Sequence, residues 1–266
     1  MKILVLPDIH GRRFWKEPCE HIDEYDKVIF LGDYLDPYEF EGISVKDAID
    51  NFDEILDFAD KHKDKVDLLL GNHDLSYYSK KYKSFSMWHC RHSHEHCDEI
   101  RERFERYKDL FKIAVTYDDI LFTHAGCTPG WLMIAFSPFD FTSVEKLAND
   151  LNTLLHSTKG LKHLFMISSD RGGRDRYASC IWADVSDTMW YQEILDNPYA
   201  KNFSKSTLDV IKMKQVFGHT LQVLYQDKDG KVYYDKPIEV NNNKMLDNAK
   251  AYELDTETFT VIPVQI

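Results

Sequence analysis

The sequence contains no hydrophobic run long enough to cross a membrane. Its longest apolar stretches, such as Leu68–Leu70, have the length of a single β-strand, whereas a membrane-spanning helix needs about 20 apolar residues. The N-terminus also lacks a basic segment followed by a long apolar one, so no signal peptide is predicted. We therefore expect a cytoplasmic protein that does not associate with a membrane.

Cysteine and positive charge are also in short supply. The five cysteines are an odd number and are widely scattered, which argues against a framework of disulfide bonds. The 33 Lys and Arg are outnumbered by 45 Asp and Glu, which gives a formal net charge of -12. Strong binding to nucleic acid needs a basic face and is not expected here. A small phosphorylated substrate remains compatible with this charge, because bound metals and local charge govern its binding.

Repeats, low-complexity tracts and linkers rich in Gly, Ser or Pro are absent as well. Hydrophobic residues make up 43% of the chain and charged residues 29%, which is the composition of an ordinary globular protein with a sizeable core. We therefore predict one continuous domain over residues 1–266. Within it, a helical insertion around residues 128–166 is expected to shape the substrate pocket.

Hydrophobic periodicity predicts alternating strands and helices in the first third of the chain. The runs Lys2–Leu6, Lys27–Leu31 and Val66–Leu70 are predicted strands, and Ser44–Ala59 has apolar residues at helical spacing. Ser44 is the predicted N-cap of this helix, with Asp47 three positions further on. Strands that alternate with helices are expected to pair in parallel, with short loops at their ends.

The middle of the chain is more helical, and its last fifty residues are richer in strands. We predict a helix over 95–111, a hairpin of 112–116 with 120–123, a helix over 143–156, a strand over 215–217, a hairpin that turns at Asp229–Gly230, and an antiparallel pair of 251–254 with 258–264. Two packed sheets with helices outside them would accommodate both halves of the chain.

Metal-capable side chains follow five of the predicted strands at the point where each strand ends. The segments are Asp8-Ile9-His10-Gly11, Gly32-Asp33-Tyr34-Leu35-Asp36, Gly71-Asn72-His73-Asp74, His124-Ala125-Gly126 and Gly218-His219-Thr220. Ligands of open parallel sheets bind beyond the carboxyl ends of the strands, so these groups are expected to converge. Each segment alone is more often an ordinary turn, but the ordered set of five is specific.

The spacing of these side chains suits a pair of transition-metal ions. Asp8 and His10 are two residues apart in an extended segment, so they point to the same side and can hold one ion together. Asp33 is the natural candidate for a carboxylate that bridges two ions. A set of imidazole, carboxylate and amide groups suits Mn, Fe or Zn better than Ca or Mg. The predicted cofactors are therefore two such ions, with Mn the first choice in vitro.

In order and residue type, the five segments resemble the signature of the calcineurin-like metallophosphoesterase superfamily, over residues 8 to 219. The resemblance implies an α/β fold, a four-layer αββα sandwich of two mixed sheets flanked by helices, with a di-metal centre at its rim. It implies that one metal is held by Asp8, His10 and Asp33, and the other by Asp33, Asn72, His124 and His219. His73, oriented by Asp36, would then protonate the leaving group, a task suited to a His held by a carboxylate.

Two departures from the superfamily pattern narrow the branch. Leu221 stands where many members have a second histidine, which disfavours nucleases and cyclic-nucleotide enzymes and favours phosphoprotein phosphatases and symmetrical diadenosine tetraphosphate hydrolases. Pro37 stands where phosphoprotein phosphatases have an arginine that binds phosphate. Arg171 and Arg174, in a glycine-containing segment before Trp182-Ala183-Asp184, are the predicted replacements, because arginine binds phosphate through two hydrogen bonds.

The segment Trp88–Cys97 is rich in His and Cys, which raises the alternative of a structural zinc site. It lacks a Cys-x-x-Cys pair, and its metal-capable residues are too densely spaced for all of them to converge. We favour an exposed loop near the mouth of the active site, where Arg91 contacts substrate. Cys127 and Cys180 are expected to pack as small apolar groups.

These features together predict a metal-dependent hydrolase that cleaves a phosphate ester with a hydroxide shared by two metals. The favoured activity is that of a phosphomonoesterase of serine/threonine phosphatase type, acting on a phosphorylated small molecule, a nucleotide or a phosphoprotein. The first alternative is a dinucleoside polyphosphate hydrolase of the diadenosine tetraphosphate type, which the sequence Gly71–Leu75 favours. A non-catalytic scaffold is disfavoured, because every expected metal ligand is present.

Overall fold

Two mixed β-sheets form the centre of the protein. The computed structural model describes residues 1–80, 89–195, 197–221, 223–226 and 232–265. The strands are β1 Lys2–Leu6, β2 Lys27–Phe30, β3 Val66–Leu69, β4 Phe111–Lys112, β5 Ala114–Tyr117, β6 Ile120–Thr123, β7 Lys214–Phe217, β8 Val223–Gln226, β9 Val232–Tyr234, β10 Ile238–Val240, β11 Asn243–Met245, β12 Tyr252–Asp255 and β13 Thr260–Pro263.

The strand order brings the carboxyl ends of several parallel strands to the same edge of each sheet. In the described part of the chain, the first sheet has the order β13-β12-β1-β2-β3-β4 and the second has β10-β11-β7-β6-β5, while β8 and β9 form a separate antiparallel pair. Strands β1 to β4 are parallel to one another, and β6, β7 and β11 are likewise parallel. The predicted metal-capable segments lie directly after these parallel strands.

The helices lie outside the two sheets. They are α1 Lys16–Glu20, α2 Val45–Lys61, α3 Asn72–Tyr78, α4 Cys97–Arg106, α5 Pro129–Ala135, α6 Val144–Thr153, α7 Thr158–Leu164, α8 Val185–Ile194 and α9 Lys205–Lys212, with short 3₁₀ helices at Ile22–Glu24, Glu39–Glu41, Lys108–Leu110, Leu154–His156, Ser169–Arg171 and Pro198–Asn202. Within the described ranges, no helix is long and apolar enough to cross a membrane.

The start of α2 confirms the predicted N-cap. The Ser44 hydroxyl accepts a hydrogen bond from the Asp47 backbone N–H at 3.0 Å, and the Asp47 carboxylate accepts one from the Ser44 N–H at 3.4 Å. This reciprocal arrangement satisfies two backbone donors that a helix otherwise leaves without an acceptor. The helix continues to Lys61, two residues beyond the predicted end.

Alternation along the strands divides the apolar core into layers. Ile3 and Val5 of β1 pack in one cluster with Phe122 of the second sheet, which fills the space between the sheets. Leu4, the intervening residue, belongs to another cluster together with Phe52 of α2. Since successive strand residues face opposite sides of a sheet, each sheet contacts the other sheet on one face and helices on its opposite face. The predicted four-layer αββα arrangement is confirmed.

Several predicted boundaries differ from the structure. The predicted strand 112–116 is divided, because Lys112 belongs to the first sheet through β4 whereas Ala114–Tyr117 belongs to the second through β5. The predicted helix over 95–111 is shorter and ends at Arg106. The antiparallel pair near the C-terminus is confirmed as β12 and β13. The predicted turn at Asp229–Gly230 lies outside the described residues.

Candidate metal centre

Backbone hydrogen bonds align the loops that carry the predicted site. After β1 and β2, the His10 N–H donates to the Asp33 carbonyl at 2.6 Å. After β6 and β7, the Gly218 N–H donates to the His124 carbonyl at 2.8 Å. The two sheets meet where the His219 N–H contacts both carboxylate oxygens of Asp8 at 3.0 Å. The five strand ends therefore converge at one place, as the sequence predicts.

Asp33 lies between the two halves of this site. One of its oxygens, Oδ2, is 3.5 Å from His10 Nε2 and also 3.5 Å from His124 Nε2. All three side chains are buried. A carboxylate oxygen flanked by two imidazole nitrogens has the position that a ligand shared by two cations requires.

In the second half of the site, three polar side-chain atoms face one another. His124 Nε2 is 3.0 Å from Asn72 Oδ1 and 3.1 Å from His219 Nδ1. The other ring nitrogen, His124 Nδ1, donates to the Leu31 carbonyl at 2.8 Å, so in the neutral imidazole Nε2 has a lone pair and no proton. Lone pairs of nitrogen and oxygen at such distances repel unless a cation or a proton lies between them. This donor set therefore fits a metal ion.

Burial and hydrogen bonding also suit the histidines to bind a metal ion. His10 Nδ1 donates to the Leu35 carbonyl at 2.8 Å, which directs the Nε2 lone pair towards Asp33. Burial lowers the pKa of His10, His124 and His219, so all three rings are neutral near pH 7. A metal ligand must be deprotonated at the ligating nitrogen, and these rings meet that condition without the cost of losing a proton.

The carboxylates place negative charge in the same buried space. Burial raises the pKa of Asp8, and the neighbouring Asp247 and Asp33 carboxylates raise it further. A cation bound beside Asp8 would offset both effects. Two groups of metal-capable atoms, each within 4.8 Å of one another, are His10–Asp33–His73 and Asp33–His124–His219. They share Asp33. The first group includes His73, and the predicted ligand Asp8 belongs to neither.

His73 is held by a network of two further side chains. Its Nδ1 is 2.7 Å from Asp36 Oδ2, and the Tyr77 hydroxyl donates to the other oxygen of Asp36 at 2.5 Å. The His73 backbone N–H donates to Asp33 Oδ1 at 3.0 Å. With Nδ1 facing Asp36, Nε2 is the ring nitrogen left for the centre. The predicted pairing of His73 with Asp36 is present.

Four of the predicted site residues have a left-handed backbone. The φ angles are 44° at His10, 54° at Asp33, 56° at Asp36 and 72° at His219. Such conformations cost non-glycine residues roughly 1–3 kcal/mol each, and they persist where the surrounding structure compensates for them, often at functional sites. Here parallel strands and buried hydrogen bonds hold the loops in place.

Two glycines allow the carboxylates to approach the backbone closely. A methyl group at Gly71 would overlap the Asp33 carboxylate, and one at Gly218 would overlap the Asp8 carboxylate. Glycine is required at these two positions because no side chain fits between the strand end and the acid.

The predicted substrate-binding arginines have different surroundings. Arg171 forms an ion pair with Asp184 at 2.8 Å and donates to the His219 carbonyl at 3.2 Å. Arg91 donates to the Asp36 carbonyl at 2.9 Å, and its Nη2 is 3.3 Å from His10 Nδ1. These contacts place both side chains beside the centre. Arg174 is exposed, and its side chain forms no hydrogen bond or ion pair within the described residues.

Two charged residues near the centre were not predicted from the sequence. Asp247 follows β11, is only 1% exposed and has an Oδ1 atom without a hydrogen-bond partner among the described residues. Burial raises its pKa to about 7, although Arg12 counteracts the shift. Arg12 donates to the Asp8 carbonyl at 3.0 Å. Asp247 follows a sixth strand end at the same edge, but it lacks the neighbouring glycine that marks the other segments.

The His- and Cys-rich segment forms part of the wall around the centre. Cys90 Sγ is 3.6 Å from the Asn72 side-chain nitrogen, and the His92 ring stacks on Tyr77 with centroids 4.3 Å apart. Among residues 89–97, no three metal-capable side chains come together, so the described part of the segment gives no support to a zinc site. The cysteines predicted to pack as apolar groups, Cys127 and Cys180, are buried and free.

Comparison with known proteins gives one family match. The family model described as calcineurin-like phosphoesterase matches residues 1–223. No curated protein matches the chain. Among solved structures, the cold-active protein-tyrosine phosphatase of a psychrophilic Shewanella species aligns with a TM-score of 0.52 at 13% identity, covering 99% of this chain and 80% of that one.

Two further structures align over the whole chain with lower scores. A protein serine/threonine phosphatase from Saccharomyces cerevisiae has a TM-score of 0.45 at 13% identity, and covers 100% of this chain and 80% of its own. A metallophosphoesterase from Sphaerobacter thermophilus has a TM-score of 0.42 at 10% identity, with 100% and 88% covered. At 13% identity, the likeness to the Shewanella phosphatase concerns the fold alone.

Proposed function

The chain belongs to the calcineurin-like phosphoesterase family, and we propose that within this family it is a metal-dependent phosphomonoesterase of serine/threonine phosphatase type. The family generally binds two metal ions. The observation that carries the proposal is the position of Asp33 Oδ2, 3.5 Å from one imidazole of each donor group. Two cations that share this oxygen would lie close enough to act on one phosphate.

Each proposed ligand has a place in this scheme. The first ion would be held by Asp8, His10 and Asp33, and the second by Asp33, Asn72, His124 and His219. When bound, the ions would activate water as the nucleophile and neutralise charge on the phosphoryl oxygens. Mn is the first choice for assays, with Fe or Zn as alternatives, because the ligands combine imidazole with oxygen donors.

His73 would supply the proton that an alkoxide leaving group needs. Asp36, 2.7 Å from His73 Nδ1, fixes the orientation of the ring, so that Nε2 faces the centre. The Nε2 atom then donates to the leaving oxygen. Tyr77 in turn fixes Asp36 through its hydroxyl, so the acid is positioned before substrate arrives.

Arg171 and Arg91 would bind the phosphoryl oxygens. Asp184 holds Arg171 through an ion pair at 2.8 Å, and the guanidinium of Arg91 lies 3.7 Å from the centre of the Tyr38 ring. Both contacts leave some guanidinium N–H groups for a ligand, since arginine has five donors. This pair would replace the phosphate-binding arginine that phosphoprotein phosphatases have at the position of Pro37. Arg174, which is exposed, is a weaker candidate for the same role.

Metal removal and restoration would test the proposal. The protein is treated with a chelator, its metal content is measured, and p-nitrophenyl phosphate hydrolysis is followed as Mn²⁺ is added back. We expect activity to disappear and then return with about two ions per chain. Asp33→Asn should prevent the return, whereas Asp23→Asn, which changes a fully exposed carboxylate, should not.

A substrate panel separates the remaining alternatives. A phosphoserine peptide, a nucleoside monophosphate and diadenosine tetraphosphate are compared with p-nitrophenyl phosphate at equal concentration. Preference for a monoester supports the proposal, and preference for diadenosine tetraphosphate assigns the anhydride alternative. Metal binding without hydrolysis of any of the four would indicate a scaffold and contradict the proposal.

A further inference from the structure

A groove of about 390 Å³ beside the proposed metal centre has aromatic walls. Trp190 of α8 is 54% exposed and lines the groove with Tyr177 and Tyr191. The rings of Trp190 and Tyr191 meet edge to face with centroids 4.8 Å apart. These three residues define what we call the aromatic groove. A large apolar ring held open to solvent in a concave site is typical of a ligand-binding position.

A glycine at the start of α5 supports this arrangement. A methyl group at Gly130 would overlap the Tyr177 ring, and it would lie 2.6 Å from the Tyr191 hydroxyl. The helix backbone therefore forms the base against which both tyrosines pack. The aromatic groove is a packed feature of the fold, and its two tyrosine rings are fixed before any ligand arrives.

Polar groups line the rest of the aromatic groove. Asp170 accepts a hydrogen bond from the Ser186 hydroxyl at 2.5 Å, and Asp187 lies beside them. Each carboxylate has about four acceptor positions, so both retain capacity for a donor on a ligand. The Arg176 guanidinium lies 5.2 Å from the centre of the Tyr177 ring. The groove thus combines ring faces, acceptors and a planar cation.

Residues 170–171 and 184–186 form a wall between the aromatic groove and the metal centre. Asp170 lines the groove, and its neighbour Arg171 donates to the His219 carbonyl on the other side. Likewise Ser186 lines the groove, while Asp184, two residues earlier, pairs with Arg171 at 2.8 Å. A substrate whose phosphoryl group lies at the metal centre could therefore extend a second group over this wall.

We propose that the aromatic groove binds the planar nitrogen heterocycle of a nucleotide whose phosphoryl group lies at the metal centre. The inference rests on the proposed function. A nucleobase stacks on aromatic rings, its amino group can donate to a carboxylate, and a guanidinium stacks on its face. Because Asp170 and Asp187 line the groove together with Arg176, a basic peptide side chain is the competing occupant, and the phosphopeptide arm of the test covers it. Nucleoside monophosphates and dinucleoside polyphosphates both offer this chemistry.

Kinetics of Trp190→Ala would test the proposal. KM is measured for AMP, diadenosine tetraphosphate, a phosphoserine peptide and p-nitrophenyl phosphate. Since loss of a stacking ring costs roughly 5- to 150-fold in affinity, we expect KM to rise at least five-fold for the two adenine substrates and to stay unchanged for p-nitrophenyl phosphate. Met133→Ala, which removes another exposed apolar side chain, should alter none of the four.

The pattern of changes distinguishes the outcomes. Equal effects on all four substrates, or an effect confined to the phosphopeptide, would overturn the proposal. The larger of the two adenine effects identifies which type of nucleotide the groove prefers, and either result supports it.

A binding measurement keeps the proposal testable if the protein hydrolyses nothing. AMP is titrated into the Mn²⁺-loaded His73→Ala variant, which lacks the proposed acid, and tryptophan fluorescence is recorded. Quenching that disappears when Trp190→Ala is added supports the aromatic groove independently of catalysis. Quenching that persists, or is absent at millimolar AMP, contradicts it. Failure of p-nitrophenyl phosphate hydrolysis would count against the proposed function alone.

Discussion

The metal centre and the aromatic groove lie on opposite sides of one wall, but they are built in different ways. The centre is formed by strand ends, and its side chains, such as Asp33 and His124, are almost entirely buried. The groove is formed by helices α5 and α8 and the loop before Ala178, and Trp190 is half exposed. Strand ends fix atoms accurately enough for chemistry, whereas helices and loops can vary and so select the substrate.

The same small substitution should therefore cause a large loss of activity in one region and a small, selective one in the other. A methyl group overlaps a carboxylate at Gly218 but tyrosine rings at Gly130. A displaced Asp8 could no longer hold the proposed metal, whereas a displaced Tyr177 would change only the shape of the groove.

Gly218→Ala should abolish activity by displacing Asp8. We expect a loss of roughly 1,000-fold in kcat/KM, comparable to the removal of a key electrostatic group, together with weaker Mn²⁺ binding by calorimetry. Gly42→Ala is the matched control, because Gly42 has open space around it although its φ is +67°. Full activity and metal affinity in Gly218→Ala would refute the close packing of Asp8 described above.

His73→Ala should reduce kcat by roughly 100- to 10,000-fold for an alkyl phosphate, the range for loss of a general acid. The loss should be smaller for p-nitrophenyl phosphate, because its leaving group needs little protonation. His73 lies close to His10 and Asp33, so the metal content of the variant is measured to test whether His73 is itself a metal ligand. If metal content falls with activity, His73 acts as a ligand instead of an acid. His21→Ala, which removes an exposed imidazole, serves as control.

Arg171→Ala should raise KM for phosphate esters by roughly 10- to 150-fold, the effect of losing a charged hydrogen bond worth about 1.5–3 kcal/mol. Because Arg171 is proposed to bind the phosphoryl group, which all the substrates share, KM should rise by a similar factor for each of them. Arg174→Ala is the matched control and should change KM little, since Arg174 makes no described contact with the centre. The reverse order of effects would assign the phosphate to Arg174.

Gly130→Ala should have the smallest effect and should be selective. It is expected to move Tyr177 and raise KM for AMP a few-fold, with no change for p-nitrophenyl phosphate. Overpacking of this kind costs about 1–3 kcal/mol of stability, which thermal unfolding would show. Equal loss on both substrates would mean that the aromatic groove is mechanically coupled to the centre.

The contrast also explains how much the sequence could predict. Asp8, Asp33 and His124 follow recognisable strands, and parallel strands end at a common edge, so their convergence was predictable. Asp247 is not predictable in the same way, because β11 is only three residues long and no glycine marks its end. The sequence predicts one strand over 112–116, because nothing in it marks the point where Lys112 belongs to one sheet and Ala114–Tyr117 to the other.

The aromatic groove could not be predicted from the sequence. Helix α8 has no clear apolar face, and nothing in the sequence distinguishes its Trp190 from any other exposed tryptophan. The role proposed for Trp190 depends on the groove that it lines. The shape of this groove depends on the packing of Tyr177 against Gly130, a contact between residues 47 positions apart. Such contacts between helices and loops have no short sequence pattern, whereas a strand end carries its pattern within four residues.

The carboxylate of Asp74 joins two loops of the centre without taking part in the proposed chemistry. It accepts hydrogen bonds from the backbone N–H groups of Asp33, Tyr34 and Gly71, at 2.6, 3.0 and 2.8 Å. These amides are buried and bonded through protein atoms alone, so their protons should exchange with deuterated solvent slowly even after a chelator has removed every metal. The metal-binding loops would then be preorganised, and binding of the ions would add little further order.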